Sequence, residues 1–289
     1  MIRTAVFPVA GMGVRFLPAT KSTPKEMFPI IDKPLIQYAI DEALAAGASR
    51  LVFITSSTKP SIKDYFSDNL KLESRLTKAS KIQIPEDFID VVPSNVECIF
   101  INQDFPLGLG HAILCAENAV GDEPFFVHLV DDLIYSEEPC LLQMKNHFDS
   151  YNHSIISVEK VPIQETSKYG IVELSKANNI NVINSIVEKP DPIDAPSDMA
   201  VVGRYILTPK IFNFLADQEK GKGNEIQLTD AISKLLLEEQ IHAFVFDGIR
   251  YDCGSKLGYL KANIEYGLRS DELGNDFLKY LLALKKESS

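Results

Sequence analysis

The chain has 289 residues, 45% of them hydrophobic and 24% charged, with a formal net charge of −11 at pH 7. That size and balance suit a globular protein able to bury a full core. The acidic excess argues against a nucleic-acid or anionic-membrane surface, since both need a basic footprint. Cys98, Cys115, Cys140 and Cys253 show no C-x-x-C spacing, so neither a zinc site nor a redox pair is indicated. Scattered cysteines, no signal-peptide core and no apolar run near the ~20 residues of a membrane span point to a cytoplasmic protein.

In chain order, "TAVFPVA" reads as a first buried strand. It runs into a loop at residues 11–33 that holds Arg15, Lys21, Lys25 and Lys33 against only Glu26 and Asp32. An acidic protein that binds a polyanion must gather its cations locally, and this loop does so. It is not a dinucleotide fingerprint, because the third position after Gly11 and Gly13 is Phe16, and it is not a P-loop. Pro18 and Pro24 keep it from opening at once into a helix whose N-terminus could hold phosphate. If it grips phosphate, side-chain cations and glycine-exposed amides act together; a plain basic βα turn is the alternative.

"LIQYAIDEALAAG" (35–47) has helical apolar stripes and a glycine stop, and "LVFIT" (51–55) follows as a strand. Patterning is weakest around 60–95, where a loop closing over a ligand is expected. "NVECIFIN" (95–102) is a strand, residues 108–119 a helix, and "PFFVHLV" (124–130) a strand that runs into Asp131 and Asp132. The second half offers short β segments with few helices between them, so the sheet is expected to be mixed. Helices are expected at 225–240, 256–268 and in the C-terminal tail.

Open parallel sheets bind ligands beyond the carboxyl ends of their strands, and chemically interesting residues follow strand ends repeatedly. Asp131 and Asp132 are natural Mg²⁺ ligands, with an Asp-rich turn as the competing reading. Gln103 precedes Gly108 and Gly110, and a primary amide there matches N3–H and O4 of uracil or thymine; a flipped amide would suit cytosine equally. The glycines would let backbone approach a ring. His111 is read as structural. "VEKP" supplies Glu188 and Lys189, neighbours that face opposite ways on a regular strand, with Pro190 expected to hold Lys189 extended. Asp252 in "YDCG" is a second carboxylate, or a turn aspartate.

Together, "PVAGMGVRFLPATKSTPKEMFPIIDKPLIQY", "PLGLGHAILCAENAVGDEPF", "VEKP", "VVGRYIL", "EIQLTDAI" and "YDCGSKLGYLKANIEYGLR" resemble the bacterial UTP–glucose-1-phosphate uridylyltransferases, from about residue 4 to about 270. The resemblance implies an α/β fold of nucleotide-diphospho-sugar transferase type, with a Rossmann-like mixed central sheet flanked by helices. It implies one domain: a nucleotide-binding half at about 1–140, a sugar-binding half at about 141–265 and a helical tail at 266–289. It also implies a Mg²⁺-dependent reaction of UTP with glucose 1-phosphate to UDP-glucose and pyrophosphate, in a homodimer or homotetramer. Carried to matching positions, Ala10, Gly11, Gly13 and Gly108 lie against the nucleotide, and Glu26 and Gln103 contact uracil. Arg15 and Lys25 neutralise the triphosphate, and Asp131 holds Mg²⁺ with Asp252 as second ligand. Gly170, Glu188 and Val202 surround glucose, with Lys189 on its phosphate. Two departures are the metal-aspartate segment, with Val130 where the family usually has proline and the extra acid Asp132 after it, and Phe7, where an aliphatic residue often precedes the proline of the first strand. A thymidylyltransferase and a non-catalytic UDP-sugar sensor are the rival readings; an NAD-type oxidoreductase fails at the glycine fingerprint.

Overall fold

Alternating apolar residues build the centre of the molecule. In β1 (Thr4–Pro8), Ala5 and Phe7 enter one buried cluster, with Ile36 and Ile40 of the helix Leu35–Ala45. Val6 enters a second cluster, with Ala112, Ile113 and Ile232 on the opposite side. Side chains two apart share a face of a strand, so one sheet separates two apolar layers. The computed structural model describes residues 2–67, 91–177 and 180–287.

The short strands β2 (Pro29–Ile30) and β3 (Lys33–Pro34) pair with each other. β4 (Arg50–Thr55), β5 (Glu97–Asn102) and β6 (Phe125–His128) run parallel with β1, in spatial order β5-β4-β1-β6. β7 (Asp132–Tyr135) leaves this sheet to pair with β13 (Ile249–Asp252). The central sheet continues through β8 (Ser154–Lys160), β9 (Gly170–Ala177), β10 (Ile180–Glu188), β11 (Met199–Leu207) and β12 (Ile241–Val245). Its order is β5-β4-β1-β6-β11-β8-β12-β10-β9, nine strands among the described residues. β11 is antiparallel to both β6 and β8, so the sheet is mixed, as expected. Chain order reverses direction at β1, and the crevice at such a switch point is where open sheets take ligands.

Two sequence expectations shift. The helix expected at 108–119 is two pieces, Leu109–Leu114 and Glu117–Val120. The helix expected at 225–240 is limited to Leu228–Leu235, because residues 225–227 are extended and pair with the 107–110 loop: Ile226 N donates to Leu107 O at 2.7 Å and Gly110 N to Ile226 O at 2.9 Å. Most of the stretch expected to close over a ligand, residues 68–90, lies outside the described residues. The helix Lys256–Arg269 is capped by Ser255, whose Oγ accepts from Gly258 N at 3.1 Å, and the tail forms Gly274–Glu287. Among the described residues, no helix is long and apolar enough to cross a membrane.

A buried ion pair braces the ligand edge. Glu42 receives both Nε and Nη2 of Arg204, each at 2.8 Å, and Arg204 is 1% exposed. Arg204 Nη1 also donates to Leu129 O at 3.3 Å, tying β11 to the turn that delivers Asp131 and Asp132. Burial pushes the Glu42 carboxyl up, but Arg204 and His128 outweigh it and hold the group well below the usual carboxylate range.

Candidate active site

The basic loop leaves β1 as three single 3-10 turns, Val14–Phe16, Ala19–Lys21 and Lys25–Met27, with Pro18 and Pro24 immediately before the second and third. Gly13 adopts φ 63°, a left-handed conformation that favours glycine, and its carbonyl accepts from Thr20 Oγ1 at 2.8 Å. Gly11 has open space where a Cβ would stand, so its backbone is accessible. Phe16 lies edge-on to Phe28 and Tyr259, and the Tyr259 hydroxyl donates to Pro29 O at 2.7 Å, anchoring the loop to the helix Lys256–Arg269.

That anchoring brings the loop's cations to the acidic residues 100 and more positions away. Lys25 Nζ donates to Asp131 Oδ2, and Arg15 Nη1 reaches Gly254 O at 3.4 Å. β7 and β13 set Asp132 opposite Asp252, and Cys253 N donates to Asp131 O at 2.7 Å. Asp131 and Asp252 converge on Gly254: a Cβ there would lie 2.7 Å from Asp131 Oδ2 and 3.0 Å from Asp252 Oδ1. Only glycine lets two carboxylates close on this point. Burial disfavours the charge on both Asp131 and Lys25, yet their attraction outweighs it, holding the carboxyl below and the ammonium above their ordinary values.

Asp132 is occupied elsewhere. Its Oδ1 accepts from Arg250 Nε at 2.6 Å, and Arg250 Nη1 donates to Glu159 at 2.5 Å while its guanidinium lies 5.2 Å from the Tyr169 ring centre. The second acid is therefore an ion-pair partner of Arg250. Among the described residues there is no cluster of three or more His, Cys, Asp or Glu able to cage a metal. Asp252 Oδ1 accepts from Gly254 N at 3.0 Å, as a turn aspartate does, and Asp131 Oδ2 from Lys25. Two carboxylates beside one residue nonetheless fit a hard cation such as Mg²⁺, which takes one or two carboxylates and completes its shell with phosphate oxygens and water.

The neighbouring strand ends form a second group. Val9 N donates to Ile54 O at 2.8 Å and Gln103 N to Thr55 O at 2.7 Å, aligning the ends of β1, β4 and β5. Gln103 is 7% exposed, and its Nε2 lies 3.2 Å from Gly108 O and 2.9 Å from His111 Nδ1. Glu26 is 1% exposed; its Oε2 accepts from Lys59 Nζ at 2.9 Å, and its Oε1 is buried without a partner among the described residues. Lys59 also donates to Val9 O at 2.7 Å. Burial raises the Glu26 pKa and lowers that of Lys59, against their mutual attraction. At Gly108, φ 101°, the side a Cβ would take is filled by this chain: a Cβ would lie 2.7 Å from Glu225 Cβ and 2.9 Å from Ile226 O. The close approach it permits is that of the extended 225–227 segment.

At the far side, β10 ends at Glu188 and Lys189 turns to φ 46°, left-handed rather than extended as the following proline implies. This turn answers the problem of neighbours facing opposite ways, since Lys189 Nζ folds back to Glu188 Oε1 at 2.6 Å. Thr229 Oγ1 donates to Glu188 Oε2 at 2.8 Å, and the same Thr229 lies 2.8 Å from where a Gly170 Cβ would be. Lys189 N donates to Tyr169 O at 2.9 Å, linking this group to Arg250 and Asp132. Val202 as a whole residue is 1% exposed, and its carbonyl accepts from Ser157 Oγ at 3.3 Å.

Sequence reasoning missed Lys59, Arg250, Thr229 and Gly254. Lys59 follows the end of β4, so the strand-end rule pointed to it; Arg250 and Gly254 depend on the β7–β13 pairing, which no local pattern reveals.

Residues 5–267 match the family model of nucleotidyl transferases. The chain is 45% identical over 282 residues to UTP–glucose-1-phosphate uridylyltransferase YngB of Bacillus subtilis (strain 168), covering 97% of this chain and 94% of that protein. A solved UDP-glucose pyrophosphorylase from Acinetobacter baumannii superposes with a TM-score of 0.90 at 42% identity, covering 98% of this chain and 100% of the other. A UTP-bound form from the same organism gives a TM-score of 0.89 at 41% identity, with 98% and 99% covered.

Proposed function

This chain belongs to the nucleotidyl transferase family, among the UTP–glucose-1-phosphate uridylyltransferases, and from that premise we propose how its residues transfer UMP from UTP to glucose 1-phosphate. A phosphate oxygen of glucose 1-phosphate forms the new bond to the α-phosphorus of UTP. The bond from that phosphorus to the bridging oxygen of the β-phosphate breaks, releasing pyrophosphate. The nucleophile is already anionic, so no general base is required. The barrier lies in bringing two polyanions together and stabilising charge on the leaving group, which positioning and fixed charges supply.

The observation that supports this most directly is the convergence of Arg15, Lys25, Asp131 and Asp252 around Gly254. Asp131 and Asp252 would hold Mg²⁺, which would supply positive charge to offset that of the phosphates. Lys25 exchanges its partner Asp131 for phosphate when the nucleotide enters, and Arg15 meets the departing pyrophosphate. Backbone at Ala10, Gly11 and Gly13 lines the triphosphate. Gln103 takes the pairing edge of uracil, with Gly108 fixing its amide. Uracil carries one N–H on that edge, so Glu26, paired with Lys59, forms the floor of the base pocket rather than a second acceptor. Glu188 accepts from glucose hydroxyls beside Gly170 and the Val202 peptide, and Lys189 restrains the incoming phosphate. Exposed Leu257, Leu260 and Leu282 on the last two helices offer apolar surface for the proposed homodimer or homotetramer.

The test is pyrophosphate release from purified protein with glucose 1-phosphate and Mg²⁺, with UTP and dTTP in parallel. Release with UTP that EDTA abolishes is the expected result. Faster release with dTTP would move the protein to thymidylyl transfer, and binding of UDP-glucose without release would make it a sensor.

A further inference from the structure

The Gln103 amide is the polar group in the proposed base pocket whose orientation decides what it can recognise. With its oxygen outward it accepts a proton from the base; with its nitrogen outward it donates one. The contacts behind it settle which. A carbonyl oxygen only accepts, so the amide end 3.2 Å from Gly108 O must be the NH₂ group. The same nitrogen lies 2.9 Å from His111 Nδ1. An NH₂ group carries two protons, and Gly108 O and His111 Nδ1 use both. His111 must then present a lone pair at Nδ1 and carry its proton on Nε2. Gln103 Oε1 has no partner among the described residues and is the atom left for a ligand.

We propose that His111, together with Gly108 O, locks the Gln103 amide with its oxygen outward and so makes the site select uracil over cytosine. Uracil presents N3–H to that oxygen. Cytosine presents a bare N3 lone pair, and the mismatch could be relieved only by rotating the amide, which would break two hydrogen bonds, or by sliding the base away from its phosphates. Thymine presents the same N3–H, so the lock does not separate UTP from dTTP. His111 is a positioning residue: it touches Gln103 and is assigned no proton transfer. The helix Leu109–Leu114 carries it, and Gly108 at φ 101° starts that helix where both holds reach one amide. This inference rests on the reading that Gln103 faces the base.

The experiment measures kcat and KM with UTP and with CTP for the wild type, His111→Phe, His111→Asn and Gln103→Ala. Phenylalanine fills the ring's place without an acceptor, while asparagine restores one near Nδ1. His111→Phe should lower the UTP-to-CTP ratio of kcat/KM by roughly three- to tenfold, the range expected from losing one of two hydrogen bonds. The loss should fall on KM for UTP more than on kcat, and His111→Asn should recover most of the ratio. A purely structural role would depress both nucleotides equally. If Gln103→Ala collapses the ratio while both His111 variants, folded by their melting curves, keep it, the lock is wrong and the base reading survives. If Gln103→Ala leaves the ratio and KM for UTP unchanged, Gln103 does not face the base and the inference falls with that reading.

Discussion

Gly254→Ala probes the proposed carboxylate pair at a residue that has no side chain to lose. Gly254 does not sit at a left-handed φ, so alanine suits its backbone. Its methyl carbon would stand 2.7 Å from Asp131 Oδ2 and 3.0 Å from Asp252 Oδ1, well inside contact distance. Restoring an ordinary separation of about 3.4 Å drives the two oxygens back by about 0.7 and 0.4 Å. The larger of these shifts exceeds the ~0.5 Å tolerance of a preorganised site, and comparable disturbances of metal surroundings cost ~10–100-fold in metal affinity or activity. The variant should need ~10-fold or more Mg²⁺ for half-maximal pyrophosphate release, with turnover depressed and the melting temperature little changed. Titrating Mg²⁺ at saturating UTP and glucose 1-phosphate reads this out. A wild-type Mg²⁺ curve in a correctly folded variant would refute the assignment of Asp131 and Asp252 to the metal.

Arg15→Ala should lower kcat by ~10²–10³ while leaving thermal stability near wild type, because Arg15 is exposed and has one long contact; near wild-type kcat would remove Arg15 from the mechanism. Glu42→Ala should destabilise the fold by about 3–5 kcal/mol by leaving Arg204 buried without its partner, as urea unfolding would measure; a loss below about 1 kcal/mol would contradict this. His242 is driven down to about 4 by burial and by His147 and His153. Its folded form therefore stays neutral where the unfolded chain takes a proton, so stability is full above about pH 6.5 and declines as pH falls toward 4. His242→Phe should flatten the melting temperature across that window, and an unchanged slope would discount the histidine cluster as its source.

Much of the sheet was legible because its strands are continuous apolar runs bounded by turns, and the strand-end rule alone picks out Arg15, Lys25, Gln103 and Asp131. The limits were long-range. Glu225 and Ile226 read as the entry of the amphipathic helix expected at 225–240, yet backbone pairing of Ile226 with the 107–110 loop draws them out. Lys189 read as extended from Pro190, but a left-handed turn wins by bringing its ammonium to Glu188. Asp132 could not be separated from Asp131 by sequence, since its partner Arg250 arrives on β13 from 118 positions away. The glycine at 108 was legible as a close approach, but the approach of residues 225–226 to its Cβ side was not.

A single direct displacement, organised by cations and a carboxylate pair, is the central claim. The configuration at the α-phosphorus tests it most directly, using UTP with one non-bridging α-oxygen replaced by sulfur in a single stereoisomer. Inversion in the UDP-glucose product is the predicted result. Retention would require two displacements through a nucleotidyl-enzyme intermediate and would contradict the account.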